Sequence, residues 1–212
     1  MPRLVASADS VPSNAPNCFE LLSAEPLVVV LIGPGGVGKG TLAKRLVELD
    51  SRLWLSRSWT TREQRPSERG DEYYFVDRAT FDDAVEAGTF LEWAEFHGHL
   101  YGTPVPSPKD DVDVILEIEV QGAEQVLHHH HDAVVFLILP PSMERLEERL
   151  RVRGDDDDHV ADRLQSAPDE LEKGQELASY VILNDDVERA SGEILSILEE
   201  LRRQRRELPT KD

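Results

Sequence analysis

Along the chain, continuous β-branched apolar runs alternate with stretches whose apolar positions recur every three or four residues. Leu27 to Ile32 reads LVVVLI, apolar on both faces, as expected of a strand covered on both sides in a parallel sheet. Similar runs recur at Val114 to Ile118, Val134 to Leu139 and Tyr180 to Leu183. Helical spacing marks Thr41 to Leu49, Phe81 to Ala87, Met143 to Val152, Val160 to Leu177 and Val187 to Leu201. Strands alternating with helices predict an α/β fold built on a doubly wound parallel sheet.

Two regions break the rhythm. Residues Trp59 to Thr103 are rich in Thr, Arg, Tyr, Gly and Trp, carry a short strand candidate at Tyr73 to Val76, and read as an inserted subdomain. Residues Arg149 to Arg163 enclose Asp155 to Asp158, whose like charges and lack of apolar anchors predict a mobile lid with a solvated tip. One domain is expected over 26–207. Residues 1–25, rich in Ser, Pro, Asn and Ala, read as a flexible tail, with a second short tail at 208–212.

Composition narrows the choice. A chain of 212 residues with 40% hydrophobic positions fills one α/β core, and no apolar run approaches the roughly 18 residues of a membrane span. The 23 basic and 42 acidic residues leave a net charge of −19, which repels nucleic acid and anionic lipid. A small anionic substrate then requires the few cations to be gathered in one place. The single Cys18 forms no internal disulfide, and no basic region followed by an apolar stretch marks a secretory signal. A cytoplasmic protein is expected.

Directly after the first apolar run come Gly33, Pro34, Gly35, Gly36, Val37, Gly38, Lys39, Gly40 and Thr41. This is the G-x-x-x-x-G-K core of a phosphate-binding loop, set between a strand and a helix. Glycines let backbone N–H groups curl around an oxyanion, the helix adds its positive end, and Lys39 supplies a charge for a transferred phosphoryl group. One position departs from the pattern: the Ser or Thr that coordinates Mg²⁺ after the Lys is Gly40 here, and a hydroxyl arrives only at Thr41. The GKGT ending is similar to that of adenylate kinases.

Further motifs follow in order: Ser56 to Pro66, with Ser58, Arg62 and Arg65; Gly70 to Phe75, with Tyr73; Phe90 to Pro104, with Glu92, Tyr101 and Thr103; and Val181 to Asp186, with Asn184. Together they are similar to guanylate kinases over roughly Leu27 to Leu201. The resemblance implies a P-loop NTPase-type sheet with an inserted nucleoside-monophosphate subdomain at 59–103 and a helical lid at 149–163. It implies transfer of the γ-phosphoryl of ATP to GMP with Mg²⁺, by a monomer or homodimer that binds neither nucleic acid nor membrane.

By the same resemblance, Glu92 accepts from guanine N1–H and the 2-amino group, while Ser58 and Thr103 donate to O6 and N7. Arg62, Arg65, Tyr73 and Tyr101 clamp the monophosphate. Arg149, Arg153 and Arg163 join Lys39 on the transferring group, and Asn184 lies near the adenine. Glu117 and Glu119 stand where the family has Asp. They are assigned to the guanosine site and, through water, to the metal, with Thr41 a second metal candidate.

Blander readings compete. Arg149 and Arg153 lie at helical spacing from Glu144, Glu147 and Glu148. Trp59 either narrows the pocket beside Ser58 or packs on its outer side. His128 to His131 read as an exposed helix end, and Arg202, Arg203, Arg205 and Arg206 as cations favoured by a helix dipole. Prolines at 104, 106 and 108 predict a helix-free connection after Thr103. A non-catalytic binding module, or a kinase for another nucleoside monophosphate, remain alternative functions.

Overall fold

The computed structural model describes residues 26–65, 68–106 and 112–207. The expectations for both tails, for Cys18 and for Pro108 fall outside them. Five strands, β1 (Val28–Ile32), β2 (Leu53–Leu55), β7 (Asp113–Glu117), β8 (Val134–Leu139) and β9 (Tyr180–Leu183), form a parallel sheet in the order β2-β7-β1-β8-β9. Helices cover both faces, which is why the central strands carry no polar alternation. On one face Val29, Leu31, Ile115 and Phe136 pack with Leu42 and Leu46 of α1 (Lys39–Leu49), Leu146 of α4 (Met143–Arg153) and Ile194 of α6 (Val187–Glu207). On the other, Val30, Leu116 and Val135 meet Ala123 and Val126 of α3 (Val120–His129) and Leu171 of α5 (Asp157–Leu177). No helix among the described residues is long and apolar enough to cross a membrane.

A second sheet of four strands stands apart, in the order β4-β3-β6-β5, with β3 (Trp59–Thr60), β4 (Tyr74–Phe75), β5 (Phe90–Phe96) and β6 (His99–Pro104), and with α2 (Arg78–Glu86) between β4 and β5. The β5–β6 hairpin turns at His97 and Gly98, with φ of 48° and 76°. Positive φ at both central residues gives the turn the twist that paired strands require.

Two side readings are corrected by packing. His128, His129 and His131 are exposed, but His130, the residue capping α3, is buried. Arg202 does not serve a helix dipole. It is buried, bonding Asp113 Oδ2 from Nε at 2.7 Å and Asp50 Oδ2 from Nη1 at 2.6 Å, while Asp113 Oδ1 accepts from the Leu27 N–H at 2.6 Å.

Candidate active site

The loop 33–38 joins β1 to α1, and Lys39 opens the helix, buried, with Nζ donating to the Gly33 carbonyl at 2.5 Å and lying 3.8 Å from Glu119 Oε2. Two remote residues hold the loop from outside. Arg149 donates from Nη1 to the Val37 carbonyl at 2.9 Å and from Nη2 to the Asn184 carbonyl at 2.8 Å, and Asn184 Nδ2 reaches the same Val37 oxygen at 2.8 Å. The helical pairings open to Arg149 go instead to Arg145 with Glu148 and Arg151 with Glu147. Arg163 lies against the backbone of Gly35, where a Cβ would stand 1.9 Å from its Nη1.

Beside the loop opens a cleft of about 1200 Å³ lined by Gly35, Gly36, Gly38, Lys39, Gly40 and Thr41, and by Arg62, Arg65, Arg149, Arg153 and Arg163. Nine of the chain's 23 basic residues line it beside seven acidic ones, so a molecule of net charge −19 has a local excess of cations around the loop.

A narrower pocket runs from Lys39 and Glu119 past Tyr73 and Tyr101 to Ser58 and Glu92. Glu92 of β5 is 5% exposed and accepts from the Thr103 N–H at 3.1 Å, and the Ser58 and Thr103 hydroxyls are 3.2 Å apart. Burial raises the Glu92 pKa to about 7, partly offset by the Thr103 hydrogen bonds. Two supports were not foreseen from sequence. Gly122 of α3 leaves room, since a Cβ there would lie 2.5 Å from Glu92 Oε2. Gln125, one helical turn on, takes the Trp93 N–H and C=O with its amide at 3.4 and 2.9 Å, as a strand neighbour would. Trp59 packs on the outer side, with its ring 5.9 Å from Tyr74 and 5.6 Å from Phe90.

Between the two compartments the arginines are held by acids. Glu68 receives Arg62 in two parallel bonds, Nη1 to Oε2 at 3.0 Å and Nη2 to Oε1 at 2.6 Å, and takes the Arg65 N–H at 2.7 Å. Burial opposes the Glu68 charge, but Arg62 and Arg65 keep its pKa below the usual range. Its position three residues after Arg65 was the available signal, and the motif reading passed over it. The solvated lid tip is corrected at one residue: Asp156, Asp157 and Asp158 are exposed, as expected, but Asp155 is not. The Asp155 side chain is 5% exposed, bonded to Arg153 Nη2, with Arg65 Nε at 3.3 Å and Arg163 Nε at 3.6 Å. Asp156 caps α5 by accepting from the His159 N–H at 2.9 Å, and Asp157 and Asp158 sit in its first turn, where the helix dipole favours acids.

At the end of β7, Glu117 is half-buried, and desolvation raises its pKa against the pull of Lys39. Tyr73 is held protonated well above its ordinary range, first by the Glu117 charge and then by burial. Glu119, just past the strand, has a buried Oε2 with no hydrogen bond, as does Glu170 of α5, whose other oxygen accepts from Ser166 at 2.7 Å. Glu170 was missed because nothing in its helix distinguishes it from solvent-facing acids.

Residues 25–201 match the family model described as guanylate kinase. The chain is 44% identical over 188 residues to the guanylate kinase of Myxococcus xanthus, covering 84% of this chain and 90% of that one. It is 46% identical over 177 residues to that of Aromatoleum aromaticum, covering 81% and 86%. The crystal structure of guanylate kinase from Anaplasma phagocytophilum superposes with a TM-score of 0.69 at 32% identity, covering 86% of this chain and 89% of the other. The chain belongs to the guanylate kinase family.

Proposed function

We propose that the phosphoryl transfer this chain catalyses, from ATP to GMP to give ADP and GDP, takes place where the narrow pocket meets the wide cleft. Guanine lies in the pocket with N1–H and the 2-amino group donating to the Glu92 carboxylate, an arrangement adenine cannot satisfy. Ser58 and Thr103 bond O6 and N7. Tyr73, Tyr101, Arg62 and Arg65 hold the acceptor phosphate, whose oxygen is already ionised at neutral pH, so no general base is needed.

On the donor side the loop N–H groups and Lys39 hold the β- and γ-phosphates, Asn184 borders the adenine, and Arg149 keeps the loop in shape through Val37. Arg153 and Arg163 neutralise charge on the oxygens of the transferring group. Oxygen donors of the kind Mg²⁺ prefers are at hand: Thr41 lines the cleft, and Glu119 has a buried oxygen with no hydrogen bond, 3.8 Å from Lys39 Nζ. Bound with ATP, Mg²⁺ neutralises β- and γ-phosphate charge. Approach of lid and inserted sheet excludes water and suppresses idle hydrolysis. We assign 59–103 to GMP and 149–163 to the lid on this basis.

The observation that carries the reading is one continuous path from Glu92 to Lys39, bordered by Tyr73 and Tyr101. A coupled ADP-release assay over a panel of nucleoside monophosphates tests it. GMP is expected to be preferred, with Lys39→Ala folded and inactive. Silence would leave a binding module, and preference for a non-guanine acceptor would overturn the assignment of Glu92.

A further inference from the structure

Alternation along β5 puts Glu92, Ala94 and Phe96 on one face of the strand, and all three line the narrow pocket. Glu92 lies toward one end of this row, and Phe96, about 13 Å further along, ends β5 at the hairpin tip. There the half-buried Phe96 ring is met by α5: the guanidinium carbon of Arg163 lies 5.8 Å from its centroid, within the range over which an aromatic face attracts a cation. The same guanidinium rests on the backbone of Gly35 in the phosphate loop. Little else fixes it. Among the described residues its nitrogens donate no hydrogen bond, and its one ion pair, Nε to Asp155 Oδ2, is long at 3.6 Å and shared with Arg65 and Arg153. His97 registers the same cation: its ring meets Phe96 edge-on with centroids 4.2 Å apart, and its pKa is lowered by burial and then by the Arg163 charge.

We propose that Phe96 is a positioning residue for phosphoryl transfer, its ring steering the Arg163 guanidinium onto the phosphate loop. The strand that reads the acceptor base thereby also sets an arginine of the donor side. The pair bridges the two compartments, since Phe96 lines the narrow pocket and Arg163 the wide cleft. A ring suits the task in a way a carboxylate does not. It orients the cation without cancelling its charge, so the full positive charge is left for the oxygens of the transferring group. The proposal rests on the reading of Arg163 given above.

The test is a double-mutant cycle read on the transfer step. Rates are measured in single turnover with ATP and GMP saturating, alongside calorimetric affinities for GMP and for the β,γ-imido analogue of ATP, which is not turned over. Phe96→Leu, apolar but without a ring, is expected to slow transfer roughly tenfold, with both affinities within about threefold of the parent. Phe96→Tyr, which keeps the ring face, is expected to restore the rate to within about twofold of the parent. Arg163→Met is expected to slow transfer about a hundredfold. Adding Phe96→Leu to it should cost less than about twofold more, because the ring then has no cation to hold. A parent rate in Phe96→Leu would overturn the proposal, as would a Phe96→Tyr variant as slow as Phe96→Leu. A tenfold loss repeated in the Arg163→Met background, or a loss confined to GMP affinity, would make Phe96 a pocket wall acting without the arginine and would overturn it too. A parent transfer rate in Arg163→Met would instead overturn the reading of Arg163 itself, and the proposal would fall with it.

Discussion

Glu92 shows how one residue's environment becomes a measurable property of the reaction. With 5% exposure and no cation beside it, the carboxyl holds its proton up to about pH 7 in the free protein. Guanine offers only donors along the edge that faces it, so GMP favours the anion and lowers this pKa on binding. At pH 6 Glu92 is therefore expected to contribute about 0.9 released proton per GMP, beyond what the GMP phosphate with its second pKa near 6 releases, and at pH 8.5 almost none. Calorimetry in two buffers of different ionisation enthalpy, on parent and Glu92→Gln, reads that number as a difference. Glu92→Gln should lose this contribution and weaken discrimination against other bases. Release unchanged in this variant would place the titrating group elsewhere. Stability carries the same signature with a definite sign. The unfolded carboxyl loses its proton near 4.5 and the folded one near 7, so the native state binds more protons between them and becomes less stable as pH rises through that window, by about 3 kcal/mol in all. Motif spacing made Glu92 legible as the candidate base reader. Its protonation was not legible, because burial is supplied by β6 and by Gly122 of α3, distant in sequence.

At the scale of elements, what could be read from the chain follows how each element is buried. Strands β1, β7 and β8 were legible because most of their residues are covered on both faces, leaving unbroken apolar runs, and β9 is apolar too although Val181 and Leu183 are exposed. The β5–β6 hairpin was not, since β5 mixes buried Glu92 with half-exposed Trp93 and its turn uses His97 in place of the usual Asn or Asp. Helix α3 was legible only at its histidine end, because it starts directly after a strand. Asp155 in the lid's acid run was misread for a related reason: the partners that bury it include Arg65, far away in sequence, while its three exposed successors serve the start of α5. The Arg202 cluster was misread likewise, and it yields a prediction. Burial alone would raise the Asp50 pKa, but hydrogen bonds from Arg52 and Arg202 hold it far below the carboxylate range. Arg202→Met leaves Asp50 without one partner and Asp113 without its buried guanidinium, at an expected cost of about 3 kcal/mol. Thermal unfolding should fall by roughly 6–12 °C for a domain of this size. Because Asp50 gains from Arg202 only while it is ionised, the difference between parent and variant should shrink as pH falls below about 4. A difference of less than 2 °C at pH 7 would mean that α6 is held to the sheet by its apolar face alone.

For the molecule as a whole, the acidic surface and the cationic cleft set a problem that Asp155 addresses. On the proposed assignment, Arg65 belongs to the inserted segment and Arg153 and Arg163 to the lid. Gathered around one phosphate they are productive, and gathered around nothing they repel. The Arg65 pKa records this, being lowered by burial and then by the Arg153 and Arg62 charges. Asp155, within 3.6 Å of all three, supplies the compensating charge and spans lid and inserted segment through Arg65. Charge-assisted hydrogen bonds of this kind contribute about 2 kcal/mol, so Asp155→Asn should shift the nucleotide-free population toward separated parts by roughly thirtyfold. Donor and acceptor dyes on Val152→Cys, which is 90% exposed, and Asp82→Cys, in a Cys18→Ser background, would report the separation by single-molecule energy transfer. Without nucleotide, Asp155→Asn should show a longer mean distance than the parent. With GMP and the imido analogue both saturating, the phosphates supply the missing charge and the two distributions should coincide. Coincidence without nucleotide as well would show that apolar packing around α5, and not the carboxylate, holds the lid against the inserted sheet.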